Sequence, residues 1–262
     1  MIVIKYGGHA LPEPGSPDPV VQAISKHHLA GNSLVVVHGG GPQIDAELRL
    51  HGISRQMIGG YRKTTPEVFE VVQKVLSGQV LRILVNQFIH CGVNAIGISA
   101  ADGELIRVSK MLPIVDGQEI DIGLVGDIDE VNPAILQLLL EARYLPVISP
   151  IAADSKGQGF NLNADIATGA IAGSLHADEV IFMTDVAGVY RNYPDPTTII
   201  KEITADNLRT LQPTFEDGMI PKVRAALSAL ESGAKRVRII DGRDAENLSR
   251  AFSGIGGTVV WP

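Results

Sequence analysis

Short, continuous apolar runs recur along this chain, each bounded by Gly, Pro, Asp or Asn. The runs are Ile2–Tyr6, Leu34–His38, Asn94–Ser99, Leu145–Ser149, Glu179–Thr184 and Arg236–Ile240. Runs that stay apolar, instead of alternating with polar residues, fit strands covered on both faces. Helical patterns fill the spaces between them. Val20, Val21, Ile24 and Leu29 form one stripe, which Gly31 can end. Thr65-Pro66-Glu67 offers an N-cap, a proline at the first helical position and an acid in the first turn. The helix it starts should run towards Cys91, with a break or kink near Gly78. Asn132-Pro133 opens another helix by the same logic, and Met219–Ser232 and Ala245–Phe252 read as two more. Such alternation defines an α/β fold: an open, mainly parallel twisted sheet with helices on both faces, in three layers. Glu104–Lys110 and Gln118–Val125 are expected as the strands of a hairpin.

Composition narrows the function classes. The 262 residues are 45% hydrophobic and 19% charged, enough for one large core or for two halves sharing a sheet. A division near residue 172 is expected. Lys+Arg 22 against Asp+Glu 29 gives a net charge of −7, and without a basic run the chain is a poor fit to nucleic acid or an anionic membrane. A single cysteine, Cys91, excludes an intramolecular disulfide and a cysteine-built zinc site. The seven histidines show neither HxH nor HExxH spacing, so no histidine-built metal site is expected. No GxSxG is present either. Neither a secretory leader nor an apolar stretch of roughly 20 residues is apparent, so a cytoplasmic protein is expected.

Two glycine turns follow the first two apolar runs: Lys5-Tyr6-Gly7-Gly8 and His38-Gly39-Gly40-Gly41. The second opens a helix through Ile44 and Leu48. Glycines let backbone N–H groups converge on an anion, and a helix N-terminus adds partial positive charge. One such turn is as readily a plain strand–helix connection. Two of them, one with a lysine at its strand's end, favour a phosphate site. Neither has P-loop or GxGxxG spacing. Lys222, within Asp217-Gly218-Met219-Ile220-Pro221-Lys222, falls in the first turn of a helix, where a cation is mildly unfavourable unless an anion lies nearby. For Lys5 or Lys222 alone, a solvated surface lysine is the plain alternative. Phe160-Asn161-Leu162-Asn163-Ala164-Asp165 reads either as an Asx turn with an N-cap or as part of a site. Thr184 to Tyr190 leaves a buried strand, as a nucleotide loop or as an ordinary turn. Arg62, in Gly60-Tyr61-Arg62-Lys63-Thr64, either grips a carboxylate through its fork or lies on the surface.

Taken together and in order, these six segments resemble the amino acid kinase family over essentially the whole chain. Within that family they are most similar to the members that phosphorylate N-acetyl-L-glutamate. The resemblance implies the amino acid kinase fold and transfer of phosphate from ATP to the substrate's side-chain carboxylate, giving N-acetyl-L-glutamyl 5-phosphate, a step of arginine biosynthesis. It implies that Lys5 and Lys222 flank the transferred phosphoryl group, with Asp165 holding both lysines. Gly40, Gly41 and Gly8 would give backbone N–H groups to phosphate and substrate carboxylate, while Arg62 and Asn161 bind the amino-acid substrate. Asp185, Val186, Ala187, Gly188, Val189 and Tyr190, with Thr214, Phe215 and Glu216, would line the ATP site. Mg²⁺ would be held mainly by ATP phosphates, without a protein ligand set. Residues 1–172 would bind substrate and dimerise, and residues 173–262 would bind nucleotide.

Gly59, Tyr61 and Lys63 depart from the family's usual residues beside the substrate pocket. Asp241-Gly242-Arg243 and Gly256–Val260 also resemble kinases of carrier-protein-linked aminoadipate. A catalytically silent, ligand-sensing domain is the alternative outside enzymes. Arginine-inhibited relatives resemble hexamers interlaced by a helix ahead of the first strand. With that strand at Ile2, an arginine-insensitive homodimer is the expectation; the long helix from Thr65 to Cys91 is a candidate for its interface through Val68, Val71, Val72, Val75 and Leu76, unless these five are simply core.

Overall fold

In the computed structural model, which describes residues 1–7, 18–215 and 219–262, the apolar runs lie side by side. Gly8, Glu216, Asp217 and Gly218 fall outside the described residues. The chain begins with β1 (Ile2–Tyr6), α1 (Pro19–Leu29), β2 (Leu34–His38) and α2 (Gly41–Leu50). A small hairpin follows, β3 (Met57–Ile58) and β4 (Tyr61–Arg62). Next come α3 (Pro66–Gln73), a π-helical segment (Lys74–Val80), α4 (Leu81–His90) and β5 (Ala95–Ser99). The middle of the chain holds β6 (Ile106–Lys110), β7 (Ile114–Val115), β8 (Gln118–Glu119), β9 (Gly126–Val131) and α5 (Ala134–Glu141). Then come β10 (Leu145–Ser149), β11 (Ile151–Ala153), β12 (Gly159–Asn161), α6 (Ala164–Ser174) and β13 (Glu179–Thr184). The last elements are β14 (Glu202–Thr204), α7 (Ala205–Leu211), α8 (Ile220–Glu231), β15 (Val237–Asp241), α9 (Ala245–Phe252) and β16 (Thr258–Trp261).

Eight strands form one sheet in the order β14-β16-β15-β13-β1-β2-β10-β5. All its pairings are parallel except β15 with β16. The continuous apolar runs have a simple reason. Successive side chains point to opposite faces, and both faces are covered. Val3, Val35, Val37, Val180 and Phe182 join one core, beneath α6 and α8. Ile4, Val36, Val147, Ile181 and Met183 join a second core, beneath α1, α2 and the long helix after Thr65. The open three-layer α/β architecture is therefore the one the alternation implied.

Two details differ from expectation. β6 pairs antiparallel with β9, and Gln118–Val125 is not its hairpin partner; only Gln118 and Glu119 are strand residues there, pairing with β7. Asp121 explains the break, since its carboxylate accepts from the Gly123 N–H and turns the chain. The true partner was hidden by Asp127, Asp129 and Glu130, whose acidity lowers strand propensity. Cross-strand contacts of Arg107 with Glu130 and Ser109 with Asp129 absorb them. Together β12-β11-β6-β9 make a second, four-stranded sheet.

The second difference concerns the long helix. Thr65 caps it by accepting from the Val68 N–H at 3.3 Å, and it ends at Cys91. Near Gly78 the helix does not break but widens into the π-helical segment, which keeps its backbone paired. Val68, Val71, Val72, Val75 and Leu76 are all buried within the chain. They are core, packed under α2 and against β12, and offer no surface to a second copy. Of the two readings of these five residues, the core one holds.

Candidate active site

The site lies beyond the C-terminal ends of the central parallel strands, where open α/β sheets bind ligands. Two cavities open there. The first, of about 330 Å³, collects Lys5, Gly40, Gly41, Arg62, Asn161 and Asp165, from four separate segments of the chain. The second, of about 190 Å³, is walled by Asp185, Val186, Tyr190, Thr214, Phe215 and Lys222.

In the first cavity, β1 delivers Lys5 from its C-terminal end, beside β2 and β13. Lys5 Nζ lies 3.0 Å from Asp165 Oδ1. Asp165 sits in the first turn of α6, where a carboxylate suits the helix dipole. Asn163 caps that helix, its Oδ1 accepting from the N–H groups of Asp165 and Ile166. The Asx turn and N-cap expected of this segment are present, and Asn161 and Asp165 also line the cavity. No side chain among the described residues caps α2 at Gly40, the kind of helix N-terminus that suits an anion. Glycine fits closely there: a Cβ on Gly40 would fall 2.7 Å from Leu76 Cδ2, on the π-helical segment, and would make that side chain shift. Asn161 Nδ2 donates to Thr64 Oγ1 at 3.4 Å, and that hydroxyl donates to the Arg62 carbonyl at 2.8 Å. Buried Thr64 therefore links the Asn161 side chain to the Arg62 backbone.

His38, the residue before the glycine turn, was not a candidate in sequence. It is fully buried, and its Nδ1 lies 2.9 Å from the Gly39 carbonyl, while Nε2 has no hydrogen-bond partner among the described residues. Burial drives its pKa down to about 4, so the ring is neutral near pH 7. A neutral ring with Nδ1 as donor fixes the Gly39 carbonyl, while the Gly39 N–H donates to the Tyr6 carbonyl at 2.9 Å. Its position directly ahead of three glycines was the available signal.

In the second cavity, α8 brings Lys222 within 2.9 Å of Asp185 Oδ1. That carboxylate supplies the anion which a cation in a first helical turn requires. Close packing sets the helix in place: a Cβ on Gly169 of α6 would fall 2.9 Å from Ala229 Cα on α8. Tyr190 and Tyr193 meet edge to face at 5.4 Å between ring centroids. The expected arrangement had Asp165 holding both lysines; instead Lys5 pairs with Asp165 and Lys222 with Asp185. Only Asp185, Val186 and Tyr190 of the 185–190 loop line this cavity. Ala187 faces another hollow, a Cβ on Gly188 would fall 2.6 Å from Thr258 Oγ1, and Val189 is buried in the core. Thr258 draws the loop inward by accepting from the Val189 N–H at 2.8 Å. Gly8 and Glu216 lie outside the described residues. Among the described residues no cluster of three His, Cys, Asp or Glu could hold a metal ion, and no helix is long and apolar enough to cross a membrane.

An open parallel sheet with an uncapped glycine turn and two lysine–carboxylate pairs at its strand ends has the form of a phosphate-handling α/β protein. Residues 1–241 match the model of the amino acid kinase family, and the chain belongs to that family. It is 43% identical over 263 residues to the acetylglutamate kinase of Salinispora tropica, an alignment covering 100% of this chain and 89% of that one. To the acetylglutamate kinase of Acidothermus cellulolyticus it is 44% identical over 267 residues, covering 100% and 90%. Among solved structures, N-acetylglutamate synthase from Neisseria gonorrhoeae, complexed with coenzyme A and N-acetyl-glutamate, superposes with a TM-score of 0.86 at 24% identity. That alignment covers 100% of this chain and 59% of the synthase, and it shows the shared fold.

Proposed function

We infer that the chain is a phosphotransferase of arginine biosynthesis, which passes the γ-phosphoryl group of ATP to the side-chain carboxylate of N-acetyl-L-glutamate. The products are ADP and N-acetyl-L-glutamyl 5-phosphate. The observation that carries the reading is the gathering of Lys5, Asp165, Arg62 and the uncapped Gly40–Gly41 turn in one cavity of a chain 43% identical, end to end, to an acetylglutamate kinase.

The acceptor carboxylate is already a nucleophile and needs no general base. Catalysis is then alignment and neutralisation of charge on the phosphoryl oxygens. Arg62 binds the α-carboxylate and Asn161 the acyl-amino acid, setting the side-chain carboxylate towards the glycine turn. Lys5 neutralises the transferred group from the substrate side, with Asp165 fixing its ammonium. Lys222 does the same from the nucleotide side, where Asp185, Val186, Tyr190, Thr214 and Phe215 line the ATP cavity. Mg²⁺, a hard cation that keeps its waters, would be held mainly by ATP phosphates and would supply charge neutralisation, with Asp165 and Asp185 the carboxylates that line the two cavities. Residues 1–172 serve as the substrate half and residues 173–262 as the nucleotide half. The two cavities support that division, since each draws its residues from one side of it. We also propose a cytoplasmic homodimer. Ile89 and Leu138, 55% and 61% exposed, support the homodimer; they belong to helices that pack on β5 and β10, at the free edge of the sheet. Sedimentation at twice the chain mass is the check.

The deciding experiment is ADP release with N-acetyl-L-glutamate, L-glutamate and aminoadipate. Turnover dependent on N-acetyl-L-glutamate, with little on the others, is expected. No turnover with any of them would leave a ligand-sensing domain as the better reading.

A further inference from the structure

Arg62 is held from behind by a carboxylate that the mechanism does not use. Asp45 lies one turn into α2, the helix opened by Gly40 and Gly41. Its Oδ1 is 2.6 Å from Arg62 Nη2, and its Oδ2 accepts from Arg55 Nη1 at 3.0 Å. The Arg62 side chain is only 10% exposed, against 53% for Arg55. An aligned guanidinium–carboxylate fork would use two parallel bonds. Here the contact is made at one end. Among the described residues Arg62 Nη1 is buried without a hydrogen-bond partner, and Asp45 Oδ1, though in contact, has no well-angled hydrogen bond. A buried, unpartnered donor on a cation is costly, and on a residue lining the cavity it is a donor held for a ligand.

An arginine side chain is long, and fixing it at the moment of binding weakens affinity. Asp45 fixes it beforehand. We propose that Asp45 is a positioning residue, which pins Arg62 by Nη2 so that Nη1 meets the substrate's α-carboxylate. Because Asp45 and the glycine turn share α2, the carboxylate clamp and the anion-binding amides move as one rigid element. Thr64 completes the hold by fixing the Arg62 backbone. This rests on the reading of Arg62 as the α-carboxylate ligand.

A second role for Asp45, merely tempering positive charge, predicts the opposite sign. Removing it would then leave Arg55 and Arg62 more attractive to an anion, and KM for N-acetyl-L-glutamate would fall. The test is steady-state kinetics of the full chain as Asp45→Ala, Asp45→Asn, Arg62→Ala and the Asp45→Ala/Arg62→Ala double variant, with melting curves for each. Asp45→Ala should raise KM for N-acetyl-L-glutamate about tenfold or more, with kcat and the KM for ATP much less affected. Asp45→Asn, which keeps an acceptor oxygen, should recover part of the loss. In the Arg62→Ala background, Asp45→Ala should add less than about threefold, because its effect runs through Arg62. An unchanged or lowered KM in Asp45→Ala, or full additivity in the double variant, overturns the proposal while leaving Arg62 as the ligand. If Arg62→Ala leaves that KM unchanged, the proposal and the assignment of Arg62 fall together. Should Asp45→Ala fail to fold, an unchanged KM in Asp45→Asn overturns the proposal by itself.

Discussion

The two cavities solve the same problem, a lysine held by a carboxylate, with different materials. In the substrate cavity both partners stand on regular elements, β1 and the capped first turn of α6, and their side chains are 17% and 28% exposed. In the nucleotide cavity Lys222 opens α8, but Asp185 stands on a loop and is 57% exposed. A pair sheltered from water is screened less and held more rigidly, so it suits the atom that must be aligned. A pair open to water suits a site that a large, highly charged molecule must enter and leave.

The largest effect that tests this contrast is on turnover. Lys5→Ala should lower kcat about 10²–10³-fold with little change in melting temperature, because the lost ammonium acts on charge that develops in the transition state. Lys222→Ala should do the same. Near-normal kcat from either folded variant would remove that lysine from the mechanism and leave one cavity without its catalytic group.

The next effect is on stability, and it belongs to the substrate side. His38 is buried as the neutral ring, with its pKa pushed down to about 4 from 6.5. Between these values the unfolded chain takes up a proton that the folded chain refuses. Stability is therefore fully present above pH 6.5 and declines as pH falls towards 4. At about 1.4 kcal/mol per pH unit, on the order of 3 kcal/mol is at stake. Urea unfolding across that window should show the decline, and His38→Asn, whose amide can replace the Nδ1 donor, should flatten it. An unchanged slope in that variant would place the pH sensitivity elsewhere.

Arg62→Ala comes third. It should raise KM for N-acetyl-L-glutamate about tenfold or more while the KM for ATP stays near its normal value, since the clamp serves ground and transition states alike. A selective loss of ATP affinity would mix the two cavities and break the comparison.

The same contrast marks what could be read in the sequence. The strands of the large sheet were legible because both faces are buried, so apolar residues run unbroken through Leu34–Val37 and Val180–Phe182. Thr65-Pro66 was legible because capping is local chemistry. β9 was not, because its acids are partnered across the strand by Arg107 and Ser109, residues distant in sequence. On the substrate side, Lys5, Gly40, Gly41, Arg62, Asn161 and Asp165 were all marked by motif and do share one cavity. On the nucleotide side the loop was marked as a block, although Thr258 turns half of it inward. Asp45 carried no motif of its own, since only the fold sets Arg62 beside it; His38 stood inside a glycine motif, but its burial was not legible there.

The smallest predicted effect is the sharpest test of the difference between the pairs. Asp165→Asn and Asp185→Asn each remove one carboxylate from one lysine. If shelter is what matters, Asp165→Asn should cost kcat at least about tenfold, because a partly buried charge pair tied to a helix N-terminus is lost along with the aim of Lys5. Asp185→Asn should cost no more than about 1 kcal/mol in stability or in apparent ATP affinity, the range of exposed ion pairs. Salt gives an independent reading. Raising ionic strength should shrink the Asp185→Asn effect, since that pair is already screened by water and ions, and should leave the Asp165→Asn effect nearly intact. Equal losses from the two variants, with equal sensitivity to salt, would mean that exposure does not distinguish the cavities, and that the two lysines are held alike once ATP is bound.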